Sequence, residues 1–497
     1  MTDRVTNTGG HIQVARPLLE RVAERFFELE DIAWLGAFRI LFGLAMCVSM
    51  LRFLAFGWVD DFFLKPKFHF KYWGFAWVEP LPAPLMHAFF WCMALLALGI
   101  AAGALFRFCN CAFAVGFAYL QLLDVTTYLN HYYLANLLAL LLAASPAHRI
   151  WSVDVWRTGL YSPKAARGWL WLFRFQVGVV YTFAGLAKAQ SDWLLHAAPL
   201  RIWLGSRTGM PFLGPLLTSE VSASLMSWAG FLFDTSIAWL LLVSRVRPIA
   251  YCCVLVFHAV TGTLFPIGMF PVIMVLGALV FFPPEWPVRW AALARAVADH
   301  LRPLAPMRRV RAPADRGQSP ARRLVRFVVM GAALLYCAIQ VALPLRHWAY
   351  GRNVLWDEQG MRWSWRVMVR EKNGSVTYVV RNKRGDEWLV SPRRYLTRLQ
   401  EREMSGQPDL ILQLAHHIRD EFRNRLGEPV EVRADALASL NGRRSAPLVD
   451  PTVDLATVED GLGNASWILP APVEPPPHLR PASQHVASHS SARPYSL

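Results

Sequence analysis

The chain has 497 residues and a net charge of +16, and its composition is 55% hydrophobic and 13% aromatic. This apolar content excludes an ordinary soluble protein of this length and favours one that crosses a membrane many times. In a membrane protein, an excess of lysine and arginine is expected in cytoplasmic loops. The positive charge therefore does not predict a nucleic-acid partner.

Apolar segments near the length needed to cross a bilayer recur along the chain, and we predict about nine transmembrane helices. They cover residues 32–56, 85–105, 109–128, 132–144, 169–188, 224–243, 248–263, 267–283 and 324–343. The fourth and eighth are short, so we expect them to be tilted, buried or partly re-entrant. The first thirty residues are polar, which predicts that the first span itself acts as the insertion signal.

Basic residues are concentrated in the N-terminal segment and in the loops after even-numbered spans. They are Arg4, Arg16, Arg21, Arg25, Arg107, Arg149, Arg157, Lys164, Arg167, Arg245, Arg247 and the arginines between 289 and 323. The positive-inside rule therefore places the N-terminus in the cytoplasm. With an odd number of spans, we predict a multi-pass protein of the cell inner membrane. Its C-terminal region is then periplasmic, or lumenal in a eukaryote.

We predict a polytopic α-helical membrane bundle followed by a small extramembrane α+β domain. A cytoplasmic segment, 1–31, precedes the membrane domain, 32–343, and the external domain covers 344–470. Within the membrane domain, the Arg- and Pro-rich segment 284–323 is expected to lie along an anionic leaflet. The Pro-, Ser- and His-rich tail, 471–497, is expected to be disordered.

The external region contains both strand and helix signals. "SVTYVVRNKRGDEWLVSP" has two β-rich runs around a turn, which predicts a hairpin. Apolar residues then recur at helical spacing from Leu396 to Phe422, interrupted at 406–408. "EPVEVRA" predicts a further strand.

Four polar residues fall within or beside apolar spans, at or toward the outer face. Asn130 and His131 lie in "TYLNHYYLANLL", Lys188 in "VVYTFAGLAKAQSDW" and His258 in "LVFHAVTGTLF". Singly, the lysine could extend to the interface, and each histidine could bond to nearby backbone or core groups. Together they are candidates for function. Burial favours a neutral amine, which would make Lys188 a usable general base.

The cysteines and histidines do not predict a metal site. All seven cysteines lie in apolar stretches, none beyond Cys337, and no Cys/His set has zinc-ligand spacing. The region after Cys337 therefore has no internal disulfide.

The polar residues lie in a sequence that resembles the vitamin K-dependent γ-glutamyl carboxylase family, with its HTTM-type membrane part. The stretches that carry the resemblance are "LNHYYL", "IWSVD", "YTFAGLAKAQSDW", "FHAVTGTLFPIGMF", "FFPPEWP", "LPLRHWAYGRNVLWDEQGMRWSWRVMV" and "LVDPTVDLATV". The resemblance extends over residues 30–460 and depends on the order and spacing of these motifs. The high Arg, Ala and Leu content of the chain and its compact external domain favour a bacterial member of the family.

The resemblance implies a peptidyl-glutamate 4-carboxylase, a carbon–carbon lyase with linked vitamin K epoxidase activity. In the family, a lysine deprotonates vitamin K hydroquinone, and oxygen adds to give a strongly basic alkoxide on the way to the epoxide. That base removes a γ-proton from a peptide glutamate, whose carbanion captures carbon dioxide. Lys188 matches the lysine, and His131 matches a histidine that bonds to the quinol oxygen, with Asn130 beside it. We also expect His258 in the quinol site.

The implied cosubstrates are reduced vitamin K or menaquinone hydroquinone, oxygen and carbon dioxide, with no metal. The implied partners are a glutamate-containing peptide, the lipid-borne quinol and membrane lipids. Animal members have paired lysines at the base position, where this chain has Ala187 before Lys188. The family's disulfide between membrane and lumenal parts cannot form here, and the external region is shorter than in animal members.

A glutamate-rich peptide is anionic, so a basic surface would raise its local concentration. Arg381, Lys383 and Arg384, around the predicted hairpin turn, are candidates for such a surface. They could equally form a solvated surface or contact anionic headgroups.

Three other functions are compatible with parts of the sequence. One is a quinol epoxidase of the same fold without a peptide substrate, and another is a non-catalytic scaffold. The third is a transporter in which Lys188, His131 and His258 relay protons. A transporter is expected to contain internal repeats, and the sequence shows none.

Overall fold

The structure is a computed structural model that describes residues 18–207, 209, 214–297 and 320–477. Helices form the part before residue 346. They are α1 Leu18–Phe27, α2 Ala33–Ala55, α3 Ala83–Ala102, α4 Phe106–Leu123, α5 Asn130–Ala144, α6 Val153–Thr158, α7 Gly168–Lys188, α8 Ser191–Leu194, α9 Ala198–Gly205, α10 Gly214–Leu217, α11 Glu220–Leu242, α12 Arg247–Leu264, α13 Phe270–Ala278, α14 Trp286–Val297 and α15 Pro320–Leu345. A small antiparallel sheet pairs β1 Leu29–Asp31 with β2 Lys164–Ala166.

Seven helices in the described part of the chain are long and apolar enough to cross a membrane. They are α2, α3, α4, α7, α11, α12 and α15. An eighth span results if the bent pair 270–281 and 286–292, which turns by 94°, is counted as one. The predicted count of nine is therefore not confirmed.

The predicted and observed numbers of spans differ because of the fourth and eighth predicted segments, which are short. The fourth forms α5, whose 15 residues extend about 22 Å, less than the thickness of the hydrocarbon core. Many of its side chains are buried within the bundle. The eighth ends where the chain bends after Phe281. Apolar composition alone does not distinguish a buried short helix from a membrane span.

Small residues allow the membrane helices to approach closely. Gly43 on α2 faces α3, where an added Cβ would lie 2.5 Å from the backbone nitrogen of Ala101 and 2.7 Å from the carbonyl oxygen of Ala97. Any larger residue would separate the two backbones. This is the pattern expected where helices associate by close packing in an apolar medium.

The C-terminal domain is a four-stranded antiparallel sheet in the order β4–β3–β5–β6, packed against a helix. Its elements are α16 Val354–Asp357, β3 Lys372–Asn382, β4 Glu387–Val390, α17 Arg398–Met404, α18 Pro408–Leu426, β5 Val430–Leu440 and β6 Ala446–Pro447. The predicted hairpin, the interrupted helix and the later strand are all confirmed. The apolar face of α18 packs over the alternating buried residues of β5, which gives this domain its own core.

The C-terminal domain contacts the end of the bundle where α4 and α7 finish and α5 begins. Gln400 donates to the carbonyl oxygen of Phe68 at 2.7 Å, and Gln413 and Lys71 exchange two hydrogen bonds of 2.9 Å. Asn130 and Lys188 are at this same end of their helices. The predicted site and the C-terminal domain therefore lie on one side of the bundle.

Some predicted segments fall partly outside the described residues. The middle of the predicted cytoplasmic segment, 298–319, is among them, as are the N-terminal residues 1–17 and the predicted tail beyond 477.

Candidate active site

Lys188 forms a buried ion pair with an aspartate on a neighbouring helix. Its Nζ lies 2.6 Å from Oδ2 of Asp234, and it also donates to the carbonyl oxygen of Ala184 at 3.2 Å. The two charged side chains are 7% and 8% exposed. Lys188 therefore does not extend to the solvent, which was the simplest structural explanation for a lysine at this position.

Close packing of α7 against α11 brings this pair together. Gly185 lies one turn before Lys188, and an added Cβ there would be 2.5 Å from Cγ2 of Thr235 and 3.0 Å from the carbonyl carbon of Asp234. The glycine permits the backbones to touch. Sequence reasoning missed Asp234, although a lone carboxylate inside the apolar segment 224–243 is itself a signal of function.

The pair lines an apolar cavity of about 90 Å³, which we call the Lys188 cavity. The indole of Trp193 covers one side, with Nζ of Lys188 5.4 Å from the ring centre. This indole is fixed because its N–H donates to the carbonyl oxygen of Ser227 at 2.9 Å. A cation between an aromatic face and a carboxylate is held in one position.

His258 lines the same cavity and is 2% exposed. A hydrogen bond of 3.0 Å joins its Nε2 to the hydroxyl of Tyr181. Its Nδ1 is buried and has no partner among the described residues. A buried polar nitrogen without a partner is uncommon, and it offers a bonding position to a ligand in this cavity.

Asn130 and His131 line a second cavity of about 330 Å³, the His131 cavity. His131 is 6% exposed and has no hydrogen bond to the described residues, while Asn130 accepts from the Tyr128 hydroxyl at 3.0 Å. Arg52 also lines this cavity. Its guanidinium lies 5.3 Å from the ring centre of Trp58 and has no carboxylate partner in the described residues.

The two cavities share a wall formed by four residues. They are Ile267, Phe270, Val367 and Met368. The ring of Phe270 lies 6.0 Å from that of His131 and 5.9 Å from that of His258. The structure thus brings Lys188 and His258 into one cavity and Asn130 and His131 into the adjoining one.

Part of this wall comes from the C-terminal domain, in a stretch that we call the cap segment, residues 361–370. It contains three non-glycine residues with positive φ: Trp363 at 59°, Trp365 at 57° and Met368 at 50°. Each is an uncommon conformation, and such residues cluster at functional sites. The Trp363 backbone N–H donates to the Tyr128 hydroxyl at 2.7 Å, which fixes the cap segment beside Asn130.

A second buried ion pair connects the C-terminal domain to the residues just after Lys188. Arg443 donates to both carboxylate oxygens of Asp192, at 2.6 and 2.7 Å, and Asn441 adds a bond of 2.7 Å. Burial raises the pKa of Asp192, but the bonds from Arg443 and Asn441 outweigh it and hold that pKa below its usual value. This bidentate contact joins the two domains.

The candidate peptide-docking residues lie far from both cavities. Lys383 and Arg384 are exposed in the turn after β3, and Arg381 is already paired with Glu387 and Glu431. The other end of β3 lies beside the Asp192 contact, since Glu371 and Asn441 are bonded there. The two ends of β3, Lys372 and Asn382, are ten residues apart, which corresponds to about 33 Å along a strand. These side chains cannot contact a group bound in either cavity.

Among the described residues, no group of three or more His, Cys, Asp or Glu side chains is arranged to hold a metal ion. The site offers a basic amine, a paired carboxylate, two histidines and an unpaired guanidinium, largely shielded from water.

Residues 27–286 match the family described as the HTTM domain. Residues 325–474 match the vitamin K-dependent gamma-carboxylase, lumenal domain. No solved structure matches this chain. The first match covers the helices up to the start of α14, and the second covers most of α15 and the C-terminal domain, so the two follow the order of the structure. The chain belongs to the vitamin K-dependent γ-carboxylase family.

Proposed function

We propose that this protein is a membrane γ-carboxylase that couples quinol epoxidation to carboxylation of a peptide glutamate. The observation that carries the proposal is the buried Lys188, held by Asp234 against an apolar cavity large enough to admit part of a ring. The quinol is proposed to be menaquinone or vitamin K hydroquinone reaching this cavity from the bilayer. The peptide is proposed to enter from the side of the external domain.

Lys188 serves as the base that takes a proton from the quinol hydroxyl. It can do so only as a neutral amine. A buried lysine–aspartate pair reaches that state when its one shared proton lies on Asp234, and the 2.6 Å separation of Nζ and Oδ2 fits either placement.

His131 and Asn130 contact the quinol from the adjoining cavity. A quinol ring carries oxygens on opposite edges, so a ring lying along the shared wall could meet Lys188 with one and His131 with the other. The His131 ring has no hydrogen bond within the described residues and is free to bond to such an oxygen. His258, with its unpartnered Nδ1, would then line the ring on the Lys188 side.

Arg52 is proposed to hold the substrate carboxylate. It is the guanidinium that lines the His131 cavity, and no carboxylate in the described residues is paired with it. Arginine binds carboxylates through two parallel hydrogen bonds, which fixes their orientation as well as their position. A glutamate held there would present its γ-carbon beside the shared wall.

The exposed Lys383 and Arg384 are proposed to act at a distance. They lie too far from the cavities for contact, but a basic surface increases the encounter rate with an anionic peptide in low salt.

The test uses the purified protein in nanodiscs with quinol, oxygen, labelled bicarbonate and a glutamate-rich peptide. Wild type should form epoxide and incorporate label into the peptide. Lys188→Ala should abolish both activities, and the exposed Lys164→Ala, a matched control at β2, should not. Lys188→Arg should also be inactive, because a guanidinium cannot give up its proton at working pH.

Two outcomes would contradict the proposal in different ways. Epoxide without peptide labelling would identify a quinol epoxidase. An active Lys188→Arg variant would exclude proton abstraction by this residue.

A further inference from the structure

A third cavity of about 430 Å³, the outer cavity, lies between loop 65–78 of the bundle and the C-terminal domain. It is not part of the proposed catalytic machinery. Five acidic residues and three basic ones line it. The acidic residues are Asp357, Glu358, Asp409, Glu459 and Asp460, and the basic ones are Lys71, Arg346 and Arg362. The lining is therefore acidic overall.

Asp357 is the unusual member of this set, because one carboxylate oxygen is buried without a donor. The residue is 4% exposed, its Oδ1 accepts the backbone N–H of Gln359 at 3.0 Å, and its Oδ2 has no partner in the described residues. A buried acceptor that lacks a partner destabilises the fold, and a charged one does so more strongly. Oδ2 thus provides an unused bonding position.

The cations near Asp357 donate their hydrogen atoms to other acceptors. Arg352 donates to the carbonyl oxygens of Ala465 and Ile468, both at 2.8 Å. Lys372 donates to Glu358 at 3.3 Å and to the carbonyl oxygen of Trp356. Burial accordingly raises the pKa of Asp357 to about 6.

Most of the other charges of the outer cavity already have partners. Glu358 is paired with Arg370 at 2.6 Å, and Arg346 donates to backbone carbonyl oxygens. Arg362 is paired with Asp409 at 2.6 Å and Lys71 with Glu79 at 3.1 Å. The exposed carboxylates of Glu459 and Asp460 have no ion pair in the described part of the chain.

The walls also suit a cation. Trp73 is 59% exposed and Phe75 is 39% exposed, and both line the cavity with Trp363 and Trp467. Aromatic faces beside carboxylates are the usual surroundings of a bound guanidinium or ammonium group.

We propose that the outer cavity binds a basic side chain, arginine or lysine, of the peptide substrate. The cation donates to the free oxygen of Asp357 and lies against the aromatic walls, while Glu459 and Asp460 attract it at the mouth. The inference rests on the proposed function only for the identity of the molecule that carries the cation. Trp363 belongs to the cap segment, so a peptide held here lies beside the wall of the catalytic cavities.

The test measures binding without quinol, so that a failure to carboxylate does not affect it. The probes are a glutamate-containing peptide with one arginine and the same peptide with citrulline, and the readout is quenching of tryptophan fluorescence. Citrulline should weaken binding to the wild type at least about tenfold, as expected for one charged hydrogen bond. Asp357→Asn should lose most of this preference, and the rim variant Glu459→Gln should reduce it.

The matched control is Asp435→Asn, an exposed aspartate on β5 away from the cavity, which should retain the full preference. Equal binding of both peptides to the wild type would overturn the proposal and leave Asp357 with a bound water only. A preference that persists in Asp357→Asn would overturn it as well. Free agmatine that competes as well as the arginine peptide would show that the peptide is not the source of the cation. If Asp357→Asn does not fold, the same comparison of the two peptides is made with Glu459→Gln, whose side chain is on the surface. An unchanged preference for the arginine peptide in that variant would then overturn the proposal.

Discussion

We expect replacement of either partner of the Lys188–Asp234 pair to destabilise the protein more than replacement of both. At 2.6 Å and an effective dielectric constant of about 20, two unit charges attract by about 6 kcal/mol. Desolvation of two charges that are 7% and 8% exposed opposes most of this gain. Breaking such a buried pair is destabilising by about 3–5 kcal/mol, because it leaves one charge without a partner.

The measurement is a double-mutant cycle on the free energy of unfolding in detergent micelles. Lys188→Met and Asp234→Leu should each lower it by about 3–5 kcal/mol, and the double variant should lie close to the wild type. All three variants should be inactive in quinol epoxidation if Lys188 is the base and Asp234 holds its proton.

The matched control is the pair of Lys65 and Asp61, whose distance is also 2.6 Å but whose side chains are 66% and 49% exposed. The corresponding cycle should show almost no coupling, because exposed pairs are screened and contribute little. If the effects of Lys188→Met and Asp234→Leu on the free energy of unfolding are additive, as expected for the control pair, the two side chains do not interact. The proton-sharing mechanism would then be wrong.

Three further outcomes are expected. Arg443→Ala should lower the free energy of unfolding by about 3–5 kcal/mol above the usual carboxyl pKa. Because the pKa of Asp192 is lowered in the folded protein, the wild type should lose this advantage as the pH falls through that lowered pKa, and the variant should not. Arg52→Gln should raise the KM for a glutamate peptide more than it lowers kcat, and Arg52→Lys should partly restore the KM. A lower kcat with an unchanged KM would contradict carboxylate binding by Arg52. Reversing Lys383 and Arg384 to glutamate should slow peptide association at low salt and have little effect at high salt.

The sequence identified four polar residues in or beside apolar spans, and the structure places them around two adjoining cavities, but the sequence did not predict what each of them contacts. Asn130, His131, Lys188 and His258 were all identifiable, since ionisable residues in apolar spans are few. Their division between two cavities could not be predicted, because it depends on how Phe270 packs between the two histidines.

Asp234 was missed for a related reason. Lys188 and Asp234 are 46 positions apart on different helices, and no periodicity connects them. Their contact depends on Gly185, whose role is visible only once α7 and α11 are packed together. The elements of the C-terminal domain were easier to predict, because strand alternation and a turn are local signals.

The contacts between the domains bear on how the chemistry is kept from water. The C-terminal domain supplies Val367 and Met368 to both cavities and holds Asp192, four residues after Lys188, through Arg443. The bundle alone therefore lacks one wall of each cavity. An alkoxide basic enough to remove a γ-proton from glutamate would take one from water instead if water reached it. On the proposed mechanism, the C-terminal domain is thus part of the quinol site as well as a surface for peptides. The positive-φ residues of the cap segment lie in the stretch that supplies this wall.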